Sequence, residues 1–462
     1  MNILLMHTHD TGKYISPYGH NVPTGQLMAF ARDAMVCENM FCASPTCSPS
    51  RGAMMTSQYP HYNGLNGLSQ RGHDIEDLGK HMASYLQRNG YHTVLAGVQH
   101  ERDFWRPLER ARRASCDLGY EENISVEDTF VRDDADLLEW DWRNAERVAQ
   151  FFASYDKHQP FFLSYGTHAT HRVYPELTEE EREIYDPDYI AVPGNVKNNR
   201  ENREDTARLH KSLASYDHCF GHVIEGLKRS GLYDDTIVIY TTDHGLPNPY
   251  SKCGLRDAGM AVSFIIRAPQ YPESFGTVYD GLLSQIDVFP TLCRLAGVPA
   301  PDYVQGMDFS EVFSDLHAVI RSEVFAEVNF HASYEPQRCV RTDRYKYIEY
   351  CDPDWDRYNL ANCDESVIKQ GLMDGGIMGR RKDRVQLYDL LFDPNEMGNL
   401  NSDPTYDTIK RELAGRLQAW REETGDHIMT FDEYQGRYKV NRKDSAVASS
   451  KEPSEYESLI RR

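Results

Sequence analysis

The chain has 462 residues, with 50 Lys plus Arg against 71 Asp plus Glu and a formal net charge of −21 with His neutral. A field of that sign repels nucleic acid and anionic membrane surfaces, and no apolar run is long enough to span a bilayer. Hydrophobic residues at 40% and aromatic residues at 11% exclude global disorder. The expectation is an acidic globular protein of two or three domains, without nucleic-acid or membrane partners.

In chain order, residues 3–6 read as a buried strand that follows Met1 almost directly. No basic region, long apolar stretch or small-residue cleavage site accompanies it, which predicts a cytoplasmic protein. Ten cysteines are spread along the chain with no C-x-x-C pair and no zinc-type spacing, so reduced thiols are expected. Thr24 is placed to cap a helix carrying Leu27, Phe30, Ala31 and Ala34 on one face. Residues 77–89 read as a helix stopped by Gly90, then a strand over 91–96, and residues 161–165 as a third strand. A long helix over 206–228 leads into a strand at 237–241, with another at 262–266. This alternation predicts an α/β fold, a mostly parallel central sheet flanked by helices.

After Gly306 the pattern changes. Short alternating runs at 323–329, 337–341, 345–350 and 385–389 predict a small antiparallel sheet. A helix starting at Pro404 lines up Ile409, Leu413, Leu417 and Trp420 to cover it. From 439 onward the residues are polar and charged and read as an extended tail. The predicted organisation is an N-terminal catalytic domain over 1–320, an α+β subdomain over 321–438 and a polar tail over 439–462.

Ligands of open α/β sheets bind outside the carboxyl ends of the strands. Polar, metal-competent residues follow four predicted strands directly: His7, His9 and Asp10; His100; His168 and His171; Asp243 and His244. Each histidine alone has an ordinary explanation as a surface or core residue. Their coincidence at strand ends points to a divalent cation and an anionic substrate. In Cys47-Ser48-Pro49-Ser50-Arg51, Pro49 and Ser50 suit a first helical turn, which puts Cys47 at a helix N-terminus. Free N–H groups and the helix dipole attract an anion there, so Cys47 is a nucleophile candidate.

Cys47-x-Pro49-Ser50-Arg51 resembles the signature of the type I sulfatases, within the alkaline-phosphatase superfamily. Further segments resemble that family in the same order: residues 2–12, His168-Ala169-Thr170-His171, Thr241-Thr242-Asp243-His244-Gly245, Lys252, and residues 340–346. With residues 58–68, the likeness is to the sulfamidase (heparan N-sulfatase) branch. The resemblance implies conversion of Cys47 to formylglycine by a maturation enzyme. One hydroxyl of its hydrated form attacks sulfur, and the other then expels sulfate. It also implies Asp10, Asp243, His244 and residue 47, with His9, around one divalent metal, calcium by default. Arg51 positions the diol, Lys252 and His168 bind sulfate, and His100 orients the diol or serves as acid or base.

Three positions depart from the family pattern. His9 stands where an aspartate is usual, which softens the metal site and admits manganese. Val98 stands where a sulfate-binding lysine is usual, with His7 or Arg256 as candidate replacements. Ser57 stands where the maturation signal has glycine. The expected substrate is a small sulfated carbohydrate, a glycosaminoglycan-derived mono- or oligosaccharide, because a chain at −21 without a dense basic cluster repels long polysulfates. His171, His331, Tyr334 and Arg338 are candidate sugar contacts. A phosphodiesterase or phosphonate monoester hydrolase of the same superfamily, and a catalytically silent sulfated-sugar binder, stay open as alternatives, as does a homo-oligomer.

Overall fold

The computed structural model describes residues 1–102, 108–126, 134–156, 158–449 and 452–457. Its larger sheet contains β1 (Asn2–Thr8), β2 (Met35–Phe41), β3 (His92–Gly97), β4 (Glu122–Asn123), β5 (Phe161–Gly166), β6 (Thr236–Thr242), β7 (Ala261–Val262), β8 (Phe264–Arg267) and β9 (Val278–Ser284). The strand order is β4-β3-β5-β1-β6-β8-β2-β7, with β9 also paired to β2.

Strand β1 lies between β5 and β6 and is parallel to both, with Leu4 in register with Leu163 and Val238. All its residues are buried, because both faces of the sheet are covered. Ile3 and Leu5 face a core shared with Met54 and Met55 of the Cys47–Thr56 helix. Leu4 and Met6 face the opposite core, with Leu209 and Leu213 of the Arg200–Arg229 helix. A buried side chain of this size contributes about 2 kcal/mol. Strands β1, β3, β5 and β6 run parallel, so their C-terminal ends open onto one edge.

The sheet is mixed rather than mostly parallel in its second half. β8 runs antiparallel to β6 and β2, and β7 antiparallel to β2. The strand expected at 262–266 is interrupted at Ser263, whose N–H and hydroxyl both donate to the Gly12 carbonyl, at 3.0 and 2.7 Å. The helix expected at 77–89 breaks at His81, which caps the Met82–Arg88 helix by accepting from Ala83 N–H. Thr24 occupies a cap position without capping. The N–H groups of Gln26 and Leu27 donate instead to Asp217 of the long helix, at 2.8 and 2.9 Å.

The second sheet, β10 (Glu323–Phe330), β11 (Tyr334–Thr342), β12 (Tyr345–Tyr350) and β13 (Val385–Asp389), is antiparallel in that order. The Asp407–Thr424 helix covers it, burying Leu413, Leu417 and Trp420 against Val340, Tyr347 and Leu387. Pro404 opens a short 3₁₀ turn just before that helix. Phe41 and Leu282 from the first sheet share a core with Val324, Val328 and Ile348 of the second. No helix among the described residues is long and apolar enough to cross a membrane.

The C-terminal segment is not an extended tail where it is described. Val440 and Asn441 are buried, and the N–H groups of Lys439 and Asn441 donate to the Arg71 and Ala332 carbonyls. Its apolar residues are few but well placed, Val440 packing with Phe330, Tyr334, Tyr434 and Tyr438. Residues 450–451 and 458–462 of that predicted tail lie outside the described residues.

Ser57 closes the Cys47–Thr56 helix in the left-handed region, at φ 54°. A side chain there is strained, which explains a glycine preference at such a position. Here the Ser57 hydroxyl offsets the strain by donating to Ile286 O at 2.5 Å and accepting from Gly306 N–H at 3.1 Å. Ser57→Ala keeps the strain and loses both bonds, so chemical denaturation is expected to show a loss of about 2 kcal/mol. Ser57→Gly relieves the strain as it loses them, and its loss is expected to be the smaller by about 1 kcal/mol.

Candidate active site

Asp243 leaves the end of β6 with its side chain fully buried. Its Oδ2 accepts from Arg51 Nε and Nη2 at 3.2 and 3.0 Å, and its Oδ1 from the N–H groups of Asp10 and His244 at 2.8 and 2.9 Å. His9 Nδ1 lies 3.1 Å from Oδ2. Burial alone raises this carboxyl, but His244, the Arg51 guanidinium and the His9 imidazole around it hold it well below the usual carboxylate range. Asp10, at φ 51°, adopts the left-handed turn that aspartate tolerates, and this directs its N–H at Asp243.

Cys47 is the first residue of its helix, with Thr46 at the cap position. The thiol sits 3.4 Å from His244 Nε2 and 4.0 Å from Asp10 Oδ1. His244 Nδ1 lies 2.9 Å from the Gly245 carbonyl and must carry the proton to bond it. Its Nε2 faces Cys47 and Asp10, the latter at 3.2 Å from Oδ1. Burial pushes the Cys47 thiol well above its ordinary value, with Asp10, Asp243 and Asp364 together opposing ionisation and Lys252 favouring it. An unmodified thiol here is held neutral.

Lys252 Nζ bridges two carboxylates, Asp10 Oδ2 at 3.0 Å and Asp364 Oδ2 at 2.8 Å. Burial acts against its charge, but Asp10 and Asp364 keep the ammonium pKa well above the usual lysine value. The rings of His100, His168 and His171 surround His9 at 5.7, 6.1 and 5.6 Å between centroids. His100 Nε2 is 3.1 Å from Gln70 Oε1, and burial drives the His168 imidazole down to about 3, so it stays neutral. The backbone before that ring is fixed by Asp141, which accepts from the N–H groups of His168 and Ala169.

The donor set suits a divalent metal. Ligand atoms of His9, Asp10, Cys47 and Asp243 all lie within 4.8 Å of one another, and His9 Nδ1 has no well-aligned hydrogen-bond partner. Cys47 of this set also lines a cavity of about 350 Å³, together with His100, His171, His331 and Asp364. Gln70, Arg71, Lys439, Ser449 and Tyr456 complete much of its wall.

His331 therefore reaches the cavity, with Nδ1 2.6 Å from Thr46 Oγ1. Tyr334 and Arg338 do not. The Tyr334 hydroxyl bonds the Met429 carbonyl within an aromatic cluster. Arg338 is wholly buried, paired through two nitrogens with Asp426 and bonded to Val328 O and Asn329 Oδ1. A guanidinium with that many internal partners has nothing left for a sugar. Arg51 is spent on Asp243, the Thr8 carbonyl and His7 Nδ1, which makes it a positioning residue for Asp243 here.

Neither candidate supplies the cation missing at Val98. His7 is held neutral by burial and by Arg51, and Arg256 stacks between Tyr250 and Tyr388. Sequence reasoning missed Asp364, Gln70, Arg71 and the returning C-terminal segment. Asp364 lies 112 positions from Lys252 in the chain, and no local pattern marks it.

Comparison with known proteins fits this geometry. The sulfatase family model matches residues 2–298, and the C-terminal model of N-sulphoglucosamine sulphohydrolase matches residues 244–369. The chain belongs to the sulfatase family. It is 25% identical to human N-sulphoglucosamine sulphohydrolase, over 92% of this chain and 90% of that one. It is 26% identical to an ulvan-active sulfatase of Formosa agariphila, over 92% and 75%. Two solved structures share the fold. One is a complex with its substrate D-glucosamine-2-N,6-O-disulfate (TM-score 0.70, 17% identity, 92% of this chain and 98% of that one). The other is the phosphonate monoester hydrolase of Agrobacterium radiobacter (TM-score 0.68, 18% identity, 92% and 96%).

The position of Arg338 carries its own test. Arg338→Ala leaves Asp426 and Glu327 as buried, under-compensated carboxylates and is expected to lower stability by about 3–5 kcal/mol. Assayed where the variant is still folded, kcat/KM is expected to match that of the unaltered protein.

Proposed function

We propose that this chain hydrolyses a sulfate ester or sulfamate on a small sulfated sugar, using formylglycine at residue 47 and one divalent cation. The observation that carries the reading is the meeting around Cys47, at a helix N-terminus and on the cavity wall, of the His9–Asp10–Asp243 donors, with the Lys252 ammonium held to Asp10. A cavity of about 350 Å³ is at the lower end for small-molecule sites and suits one or two sugar rings.

His9, Asp10, Asp243 and His244 would hold the cation beside residue 47. Bound there, it supplies Lewis acidity to a sulfate oxygen and to the hydrated formylglycine. Arg51 fixes Asp243 from behind. Lys252 offers a permanent cation to sulfate, kept in place by Asp10 and Asp364. His168, neutral, can donate one hydrogen bond to a sulfate oxygen, and His100, oriented by Gln70, is placed to hold or pass a proton. His171 and His331 line the path of the sugar. With Cys47 at 1% exposure in the folded chain, a formylglycine-generating enzyme would have to meet it before folding is complete.

Two imidazole nitrogens among the donors make Mn²⁺ at least as suitable as Ca²⁺, which prefers oxygen alone. After chelation, activity is expected to return more fully with Mn²⁺ than with Ca²⁺.

The primary test is peptide mass spectrometry of residue 47 in protein from its native host, with hydrolysis of sulfated monosaccharides and a phosphonate monoester in parallel. The expected result is formylglycine and faster sulfate release, with Cys47→Ala lowering kcat/KM by at least roughly a thousandfold. Faster phosphonate cleavage would replace this reading with the hydrolase alternative. Unmodified, inactive protein would leave a binding protein. Asp364→Asn, which removes one anchor of Lys252, is expected to lower kcat/KM by roughly ten- to a hundredfold.

A further inference from the structure

The wall of the cavity away from the donor cluster holds a charge that the protein does not neutralise. Arg71 ends a 3₁₀ turn (Ser69–Arg71) downstream of the Cys47–Thr56 helix and lines the cavity with Cys47. Its Nη1 donates to Asn441 Oδ1 at 2.8 Å, Lys439 O at 3.0 Å and Ala332 O at 3.3 Å, and its Nη2 to Ala448 O at 3.0 Å. All four acceptors are neutral. Arg71 is half-buried. Arg51, Arg172 and Arg338, which are buried, and Arg321, which is nearly so, each close on a carboxylate: Arg51 on Asp243, Arg172 on Asp205, Arg321 on Asp287 and Arg338 on Asp426. Arg71 has no such partner among the described residues.

A guanidinium partly withdrawn from water with no counter-charge in the protein is stabilised by an anion that completes it. The four bonds hold Arg71 rigidly and saturate Nη1. They leave Nε and one N–H of Nη2 without a protein acceptor among the described residues. That pair of donors is the edge of the guanidinium that takes an oxyanion side-on. Lys439, exposed on the same cavity, likewise has no ion-pair partner among the described residues. Lys252, by contrast, already faces Asp10 and Asp364.

We propose that Arg71 and Lys439 form a second anion subsite in this cavity, so that the preferred substrate is a sugar bearing a second anionic group, sulfate or carboxylate, besides the sulfate that is removed. The inference rests on the sulfated-sugar reading above and specifies its substrate class. Arg71 is the anchoring donor and Lys439 the longer-range charge. The C-terminal segment acts through them, because its Lys439, Asn441 and Ala448 fix the guanidinium.

The test is calorimetric binding to the full-length Cys47→Ala protein, which holds ligand without turnover. Three probes are used: glucosamine-6-sulfate, glucosamine-2-N,6-O-disulfate, and 6-O-sulfated glucosamine linked to a uronic acid. At least one doubly anionic probe is expected to bind tenfold or more tightly than glucosamine-6-sulfate. Which of the two gains identifies the second group as sulfate or carboxylate. Arg71→Gln and Lys439→Gln are each expected to cost the doubly anionic probe severalfold more affinity than the singly anionic one. Lys439 is exposed, so its variant tests the idea without disturbing the fold, and Arg71→Lys is expected to recover part of the preference.

Equal affinity for all three probes, or variants that weaken every probe alike, would overturn the subsite. No binding of any probe, together with no sulfate release by formylglycine-bearing protein from any sulfated sugar, would overturn the reading beneath it as well.

Discussion

The Asp243 carboxylate is fully buried and accepts hydrogen bonds from three different pieces of chain. A desolvated carboxylate is tolerable only if several donors and a cation reach it together. Arg51 comes from the helix that begins at Cys47, the Asp10 N–H from the turn after β1, and the His244 N–H from the turn after β6. Satisfying that one charge fixes the helix that begins at Cys47 against the two central strands. Cys47 then has little freedom to lie anywhere but beside His244 and Asp10. The geometry of the whole cluster follows from neutralising one buried anion.

Positive charge is treated differently from one place to another in the fold. Lys252 is held between Asp10 and Asp364, one from each half of the chain, so its ammonium is fixed by both halves at once. Deeper in the second half, Arg338 and Lys346 are enclosed with Asp426 and with Asp257 and Glu396, and their charges are closed off from any ligand. Arg71 alone of these is bounded by neutral acceptors. The difference separates cations closed on carboxylates from one whose protein partners are all neutral.

The second sheet and the segment after it turn an open strand-edge site into a cavity. His331 follows β10 and is bonded to Thr46, next to Cys47. Val440 and Asn441 bury themselves against β10–β11 and the Ser69–Arg71 turn, which brings Ser449 and Tyr456 over the same space. A site built on loops of separate elements gains its shape from packing at a distance. The same packing restricts the bound group to the size of a small sugar.

The sequence by itself determined the central strands, because residues 3–6, 161–165 and 237–241 are apolar on both faces and only a covered parallel sheet buries them so. It also placed Cys47 at a helix start, through Pro49 and Ser50, and set His9, Asp10, Asp243 and His244 at strand ends, since strand direction fixes where those ends emerge. It gave no guide to where the polar C-terminal residues go, since two or three buried apolar side chains among many charges leave no periodicity. Tertiary structure alone decided that Asp364 meets Lys252, that Arg338 is enclosed and Arg71 open, and that the last segment returns to the cavity. Those outcomes depend on charges and carbonyls far apart in the chain meeting in one desolvated volume. Local patterning carries no signal for such a meeting, because the energy that selects it exists only once the sheets have packed.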